Sequence, residues 1–171
     1  VLAELAAMGR PLKAVRPDDL HVTLKFLGDT DPRSIPDVAR SVAEAAGAPA
    51  PFEIELAGLG VFPNPARPTV VWAGIRRAEP LVRLARELET RLEPLGFAPE
   101  RRAFVPHLTL ARVKSRPPAE LGALLARHPE TIFGAATIDA VLLLQSELHP
   151  EGPRYTPLAT SELNPSAGAG R

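Results

Sequence analysis

Pro106-His107-Leu108-Thr109-Leu110 repeats, almost residue for residue, the earlier stretch Leu20-His21-Val22-Thr23-Leu24. In each stretch a histidine and a threonine stand two positions apart, and aliphatic residues flank them. Successive side chains of an extended strand point to opposite faces, so the histidine and the threonine share one face and the aliphatic residues share the other. Each stretch therefore predicts a strand with a buried aliphatic face and a polar face, on which an imidazole and a hydroxyl lie roughly 6–7 Å apart.

The composition limits the classes of protein to which the chain can belong. It has 171 residues, 20 basic and 20 acidic side chains, and no cysteine. A formal net charge of zero gives no overall field that attracts nucleic acid or anionic lipid, so an anionic substrate must be bound locally. The lack of cysteine excludes disulfides, thiol catalysis and cysteine–zinc sites. No apolar run approaches the roughly 18 residues of a membrane helix, and we expect a cytoplasmic protein without membrane contacts.

Periodic patterns place the two motifs among other regular elements. The motifs predict strands over 20–27 and 104–113. Leucines at helical spacing predict a helix over 80–96, begun by a proline and ended by a glycine, and a shorter helix over 119–127. A run rich in valine and leucine over 138–145 predicts a strand buried on both faces. Helices and antiparallel strands are therefore mixed along the whole chain.

The order of these elements is similar in the two halves of the chain. We predict an α+β fold of two pseudo-symmetric lobes, whose antiparallel sheets are flanked by helices. Each lobe would contribute one motif to an active-site cleft between them. We assign residues 1–161 to this single bilobal domain. Residues 162–171 are rich in Asn, Pro, Ser, Gly and Ala, which predicts a flexible tail.

Two histidines that face each other can act as a base and an acid at the same time. Unperturbed histidine titrates near neutral pH, so one ring can be neutral while the other is protonated. Such a pair suits in-line displacement at phosphorus, where one ring takes a proton from the attacking oxygen and the other protonates the departing oxygen. The threonine hydroxyls can donate hydrogen bonds to the non-bridging phosphate oxygens. Each motif offers one good zinc ligand against the three or four of a zinc site, so we expect neither a metal nor another cofactor.

Two further side chains are ambiguous at this stage. Lys25 has the strand parity of His21 and Thr23, so it could bind a substrate phosphate or be a charge at the rim. Trp72 has the parity of Val70 and Gly74 and is more typical of a core residue than of a base-stacking surface.

The paired motifs resemble those of the two-histidine (2H) phosphoesterase superfamily. The stretches His21-Val22-Thr23-Leu24-Lys25-Phe26-Leu27-Gly28 and Phe104-Val105-Pro106-His107-Leu108-Thr109-Leu110-Ala111-Arg112 are similar to the signatures of bacterial and archaeal RNA 2′,3′-cyclic phosphodiesterases, first described as 2′-5′ RNA ligases. The resemblance implies metal-independent hydrolysis of RNA 2′,3′-cyclic phosphate ends, such as those of tRNA fragments, to 2′-phosphate ends. The reverse 2′-5′ ligation would follow from microscopic reversibility, since the same two histidines exchange their proton roles. We also expect a monomeric protein.

The resemblance also implies roles for single residues. His21 would be the proton donor to the leaving 3′ oxygen and His107 the proton acceptor from water, although pseudo-symmetry alone would allow the opposite assignment. Thr23, Thr109 and Arg112 would bind the phosphate. Arg112 has the wrong strand parity to join His107, so it can do so only if the strand ends or bulges there.

Other members of the family begin with a short apolar strand, which this sequence lacks before its first helix. Two alternatives to RNA hydrolysis remain at this stage. One is the same reaction on a small nucleotide such as ADP-ribose cyclic phosphate. The other is a non-catalytic module that binds RNA ends, for which alanine at either motif histidine would change affinity alone.

Overall fold

The computed structural model describes residues 1–149 and 152–168, and this part of the chain contains four α-helices and seven strands. The helices are α1 (Leu2–Ala7), α2 (Ile35–Ala46), α3 (Glu79–Leu92) and α4 (Ala119–Arg127). The strands are β1 (Leu12–Ala14), β2 (Phe52–Phe62), β3 (Val70–Arg76), β4 (His107–Val113), β5 (Ile132–Ile138), β6 (Ala140–His149) and β7 (Gly152–Glu162).

The chain forms two compact units, of which the first consists of Val1–Thr23, Ile54–Ala78 and Val105–Ala136. Its five-stranded sheet has the order β1-β4-β3-β2-β5, with antiparallel pairing between β1 and β4, β4 and β3, and β3 and β2. One sheet face packs against α1 and α4. The buried residues of this core are Leu5, Leu12, Val71, Ala73, Leu108, Leu110, Ala111, Leu121 and Leu124.

Two β-bulges interrupt the regular alternation of this sheet. On β2, Gly58 is the extra residue between the pairs Ala57–Gly74 and Leu59–Ala73. Gly58 has a φ of 70°, and a Cβ there would lie 2.6 Å from the backbone oxygen of Pro129, so glycine is required on two grounds. The second bulge, on β4, changes which residues reach the face opposite the core and is described with the site.

The second unit packs α2 and α3 against the β6–β7 hairpin. Leu84, Leu88 and Leu92 of α3 are buried in its core, as their helical spacing predicts, and Gly96 follows at a φ of 92°. The predicted strand over 138–145 exists as β6, but the prediction that both its faces are buried is wrong. Within the described chain β6 pairs with β7 alone, and Leu142 is 47% exposed.

Expectations about the first motif and the end of the chain need correction. Residues 20–27 are not part of a strand in the described structure, because they follow a 3₁₀ turn at Pro17–Asp19 and join no ladder. The expected flexible tail is wrong at its start, because Leu163 is 2% exposed and its amide donates to the Asp139 carbonyl at 2.7 Å. Burial of the Leu163 side chain stabilises this position, although the residues around it are polar or small.

The placement of one motif in each lobe stays a prediction, because the boundary between the two units falls inside the first motif, between Thr23 and Leu24. The motif residues His21 and Thr23, like His107 and Thr109, belong to the first unit. The units alternate along the chain, so a division into an N-terminal and a C-terminal lobe does not describe them.

Candidate active site

The sheet face opposite the core of the first unit carries the second motif. We call it the histidine face. Register places directly paired residues of neighbouring strands on the same side of a sheet. By this criterion the histidine face includes Lys13 on β1, Ala57, Gly60 and Phe62 on β2, Val70, Trp72 and Gly74 on β3, and His107, Thr109 and Arg112 on β4.

Arg112 reaches the histidine face because β4 bulges at Leu110. β3 pairs Val71 with Ala111 but Trp72 with Thr109, so Leu110 is the extra residue. Leu110 and Ala111 are consecutive and both buried, so the alternation of side chains between the two sheet faces shifts by one residue between them. The condition that the sequence sets for Arg112 to join His107 is therefore met. Arg112 is exposed, and it pairs directly with Val70 and Lys13.

The imidazole of His107 is fixed by a backbone acceptor and by aromatic rings. Its Nδ1 lies 2.7 Å from the carbonyl oxygen of Val105. Since a carbonyl oxygen can only accept, Nδ1 carries the hydrogen, and the ring gains or loses its other proton at Nε2. The Phe62 ring lies edge-on with a centroid distance of 5.0 Å, and Trp72 lies at 6.4 Å.

His21 has the same hydrogen bond as His107, although it does not belong to a strand. Its Nδ1 lies 2.7 Å from the carbonyl oxygen of Asp19, again two residues earlier in the chain. Leu20 and Val22 pack against the core of the first unit. The predicted alternation of aliphatic and polar side chains is therefore present, although these residues pair with no strand. Both motif histidines are therefore held in the tautomer that places proton exchange at Nε2.

Asp19 remains ionised in the surroundings of His21. The Arg16 guanidinium donates to it at 2.7 Å, and this hydrogen bond lowers the pKa of Asp19 below its usual value. The charges of Arg16 and His21 lower the pKa of Asp19 further. The ionised Asp19 carboxylate therefore places a negative charge two residues before His21 in the chain.

Trp72 is not a core residue, contrary to the expectation from the sequence. Its register partner on β4 is Thr109, and its indole packs against Phe62 at a centroid distance of 5.2 Å. Its partner on β2 is Gly60, where a Cβ would lie 2.2 Å from the indole Cζ2. Gly60 therefore leaves the space that the indole fills beside His107.

We predict that Gly60→Ala destabilises the protein by about 1–3 kcal/mol, because the indole of Trp72 must move away from the new methyl group. Since Trp72 and Phe62 pack beside His107, kcat should fall as well. Denaturant unfolding and steady-state kinetics measure the two effects. Gly122→Ala is the control, because a Cβ at this helical position meets nothing within 4 Å and should be neutral or stabilising. Equal behaviour of the two variants would contradict the role given to Gly60.

Lys25 belongs to the second unit, and its ammonium group is already bound there. Nζ donates to Glu89 Oε2 at 2.5 Å and to the Ala98 carbonyl oxygen at 2.9 Å, and the side chain is 3% exposed. Glu89 Oε2 also accepts from the Glu100 amide at 3.3 Å. This arrangement gives no support to the expectation that Lys25 contacts a substrate phosphate.

We predict that Lys25→Met lowers the free energy of unfolding by about 1–3 kcal/mol, because it leaves the Glu89 carboxylate without its paired positive charge. Combining it with Glu89→Met should recover part of this loss, since two apolar side chains can replace a buried ion pair. Arg40→Met, which removes an exposed pair with Asp37, should change stability by less than about 0.5 kcal/mol. A double variant less stable than Lys25→Met would contradict this interpretation.

Among residues 1–149 and 152–168, no group of three His, Asp or Glu side chains is arranged to hold a metal ion. None of the helices in this part of the chain is both long and apolar enough to span a bilayer.

Sequence reasoning did not identify Phe62, Gly60 and Lys13 as residues of this face. Phe62 and Gly60 precede three prolines within Pro63–Pro68, and such a proline-rich stretch is typical of a loop rather than of a strand. Lys13 belongs to a three-residue strand, which is too short for an alternation pattern to detect. The parity of Lys13 relative to Arg112 also depends on the bulge.

Comparison with known proteins places this geometry in a family. The model of the 2′-5′ RNA ligase superfamily matches residues 6–150. The chain belongs to this superfamily. Its relatives include proteins named RNA 2′,3′-cyclic phosphodiesterase from Methanothermobacter thermautotrophicus and Archaeoglobus fulgidus. The first protein is 39% identical to this chain, over 89% of this chain and 83% of its own length. The second is 36% identical to this chain, over 95% of this chain and 89% of its own length.

Solved structures confirm the superfamily fold. The crystal structure of the Thermus thermophilus protein TT0787 has a TM-score of 0.79 and 35% identity, covering 95% of this chain and 89% of that chain. The crystal structure of E. coli LigT complexed with 3′-AMP has a TM-score of 0.74 and 25% identity, covering 95% of this chain and 88% of that chain. The predicted family and the predicted α+β fold class are both confirmed.

Proposed function

We propose that the chain is an RNA 2′,3′-cyclic phosphodiesterase that converts cyclic ends to 2′-phosphate ends. The observation that carries this proposal is the matching hydrogen bond of the two motif histidines, 2.7 Å from Nδ1 to the carbonyl oxygen two residues earlier in both cases. The names of several curated relatives, each aligned over most of this chain, support the same activity. The reaction is P–O bond cleavage by water.

The two histidines divide the proton transfers between them. His107 takes a proton from water at Nε2 as the water oxygen attacks phosphorus, and His21 gives its Nε2 proton to the departing 3′ oxygen. The P–O3′ bond breaks, so the product carries a 2′-phosphate and a 3′-hydroxyl. After turnover His107 holds the proton that His21 has lost, and exchange with water restores both. Because the imidazoles supply both transfers, the proposed step requires no metal.

We assign His21 as the donor from the resemblance of its motif to that of the family, because the two motif histidines have the same hydrogen bond and this bond does not distinguish them.

The remaining motif residues act on the phosphate oxygens. Thr109 shares the histidine face with His107, and Thr23 stands two residues after His21. Their hydroxyls donate hydrogen bonds that strengthen as negative charge grows on the non-bridging oxygens. Arg112 is exposed on the histidine face, and its guanidinium adds a positive charge suited to phosphate.

The test is incubation of a short RNA bearing a 2′,3′-cyclic phosphate with the protein and excess EDTA. The expected product is the 2′-phosphate, identified by chromatography against 2′- and 3′-phosphate standards. A 3′-phosphate product would contradict the assigned leaving group. Binding without turnover would support an RNA-end-binding module instead. Faster hydrolysis of ADP-ribose cyclic phosphate than of the RNA would favour a small-nucleotide substrate.

A further inference from the structure

Lys13 and Arg112 form a pair of like charges on the histidine face. They are direct register partners on β1 and β4, where Cβ atoms lie about 4.5–5.5 Å apart. Like charges in such positions are destabilising unless an anion neutralises them. Among the described residues no carboxylate forms an ion pair with either side chain. The pair is therefore suited to an anionic ligand.

The position of Lys13 separates it from the reacting phosphate. Thr109 and Arg112 are two pairing steps apart along β3, which is about 7 Å, and His107 lies about 7 Å further in the same direction. Lys13 lies about 4.8 Å to the side of Arg112, on the edge strand β1. Of the polar residues in this row, Lys13 is thus the most distant from His107. It is better placed for a neighbouring phosphate than for the one that His107 attacks.

We propose that Lys13, which lies beside the phosphate-binding Arg112, binds the phosphodiester immediately 5′ to the cyclic end, so that the protein prefers a cyclic phosphate on an RNA strand to a cyclic mononucleotide. This inference depends on the proposed function, because it assumes that the cyclic end is bound beside His107 and Thr109. A 2′,3′-cyclic mononucleoside phosphate has no phosphodiester on its 5′ side and leaves Lys13 without a ligand. An oligonucleotide supplies one.

The experiment compares wild type and Lys13→Gln on a cyclic mononucleoside phosphate and on a tetranucleotide with the same cyclic end. For the tetranucleotide we expect KM to rise about 3- to 10-fold with kcat unchanged, since one phosphate contact is lost. The slope of log KM against log salt should decrease by about 0.7, the contribution of one phosphate contact in a single strand. The mononucleotide kinetics should not change, and Lys13→Arg should retain the wild-type KM.

Arg83→Gln removes one positive charge from an exposed position on α3 and should leave both substrates unaffected. Equal changes on both substrates with Lys13→Gln, or no change on either, would overturn the inference while the hydrolysis stands. A wild-type protein that turns over neither substrate would instead refute the proposed function, and the inference with it.

Discussion

Replacing His107 by alanine is expected to lower kcat about 10²- to 10⁴-fold, the usual contribution of a general base or acid, and His21→Ala should have a loss of the same order. The folded state should be retained, because His107 is only partly buried and forms no ion pair with a carboxylate in the described structure. Steady-state hydrolysis of a cyclic-ended RNA measures the loss. The wild-type rate should be bell-shaped against pH, since one ring must be neutral and the other protonated.

His128→Ala is the matched control for these variants. His128 caps the C-terminus of α4, with Nδ1 3.2 Å from Thr131 Oγ1 and its ring against Phe133. Removing the His128 imidazole should leave kcat unchanged, because His128 belongs to neither motif. Full turnover by either His21→Ala or His107→Ala would remove the basis for an acid–base pair.

Thr109→Val should lower kcat by about 10²-fold, because the variant loses a hydrogen bond that strengthens as charge develops on the phosphate oxygens. Thr23→Val should behave alike. Valine keeps the shape and the β-branched side chain, so packing against the sheet should change little. Thermal unfolding checks that point, and single-turnover kinetics measure the chemical step.

A serine at either position would restore the hydroxyl without the methyl group, and we expect Thr109→Ser to recover most of the activity. Thr90→Val on α3 is a control whose hydroxyl bonds only within its own helix, to the Arg86 carbonyl at 3.1 Å. If Thr109→Val and Thr90→Val had equal kcat, Thr109 would not contact the reacting phosphate.

The elements that the sequence predicts well are those with local and repeated signals. The leucine periodicity of α3 and α4 is a local signal, because each apolar position is set by the helix itself. The bounds 119–127 of α4 are those of the structure. The polar and aliphatic alternation of the second motif is equally local, and His107 and Thr109 share a face in the structure as expected.

Features that depend on tertiary pairing were not predictable. The alternation in the first motif is preserved by the packing of Leu20 and Val22, yet whether a ladder forms depends on which strands neighbour it. The bulge at Leu110 has no signature of its own, although it decides the face on which Arg112 lies. Trp72 has an apolar side chain that suits a core, and only the absence of a side chain at Gly60 shows where the indole fits.

The most direct test of an acid–base pair uses a leaving group that needs no proton. In a cyclic-ended RNA whose bridging 3′ oxygen is replaced by sulfur, the departing thiolate leaves without a general acid, while water still needs a base. We therefore predict that His21→Ala hydrolyses the sulfur substrate at nearly the wild-type rate and that His107→Ala does not. Equal impairment of both variants on the oxygen and sulfur substrates would contradict the central claim that His21 is the proton donor and His107 the acceptor.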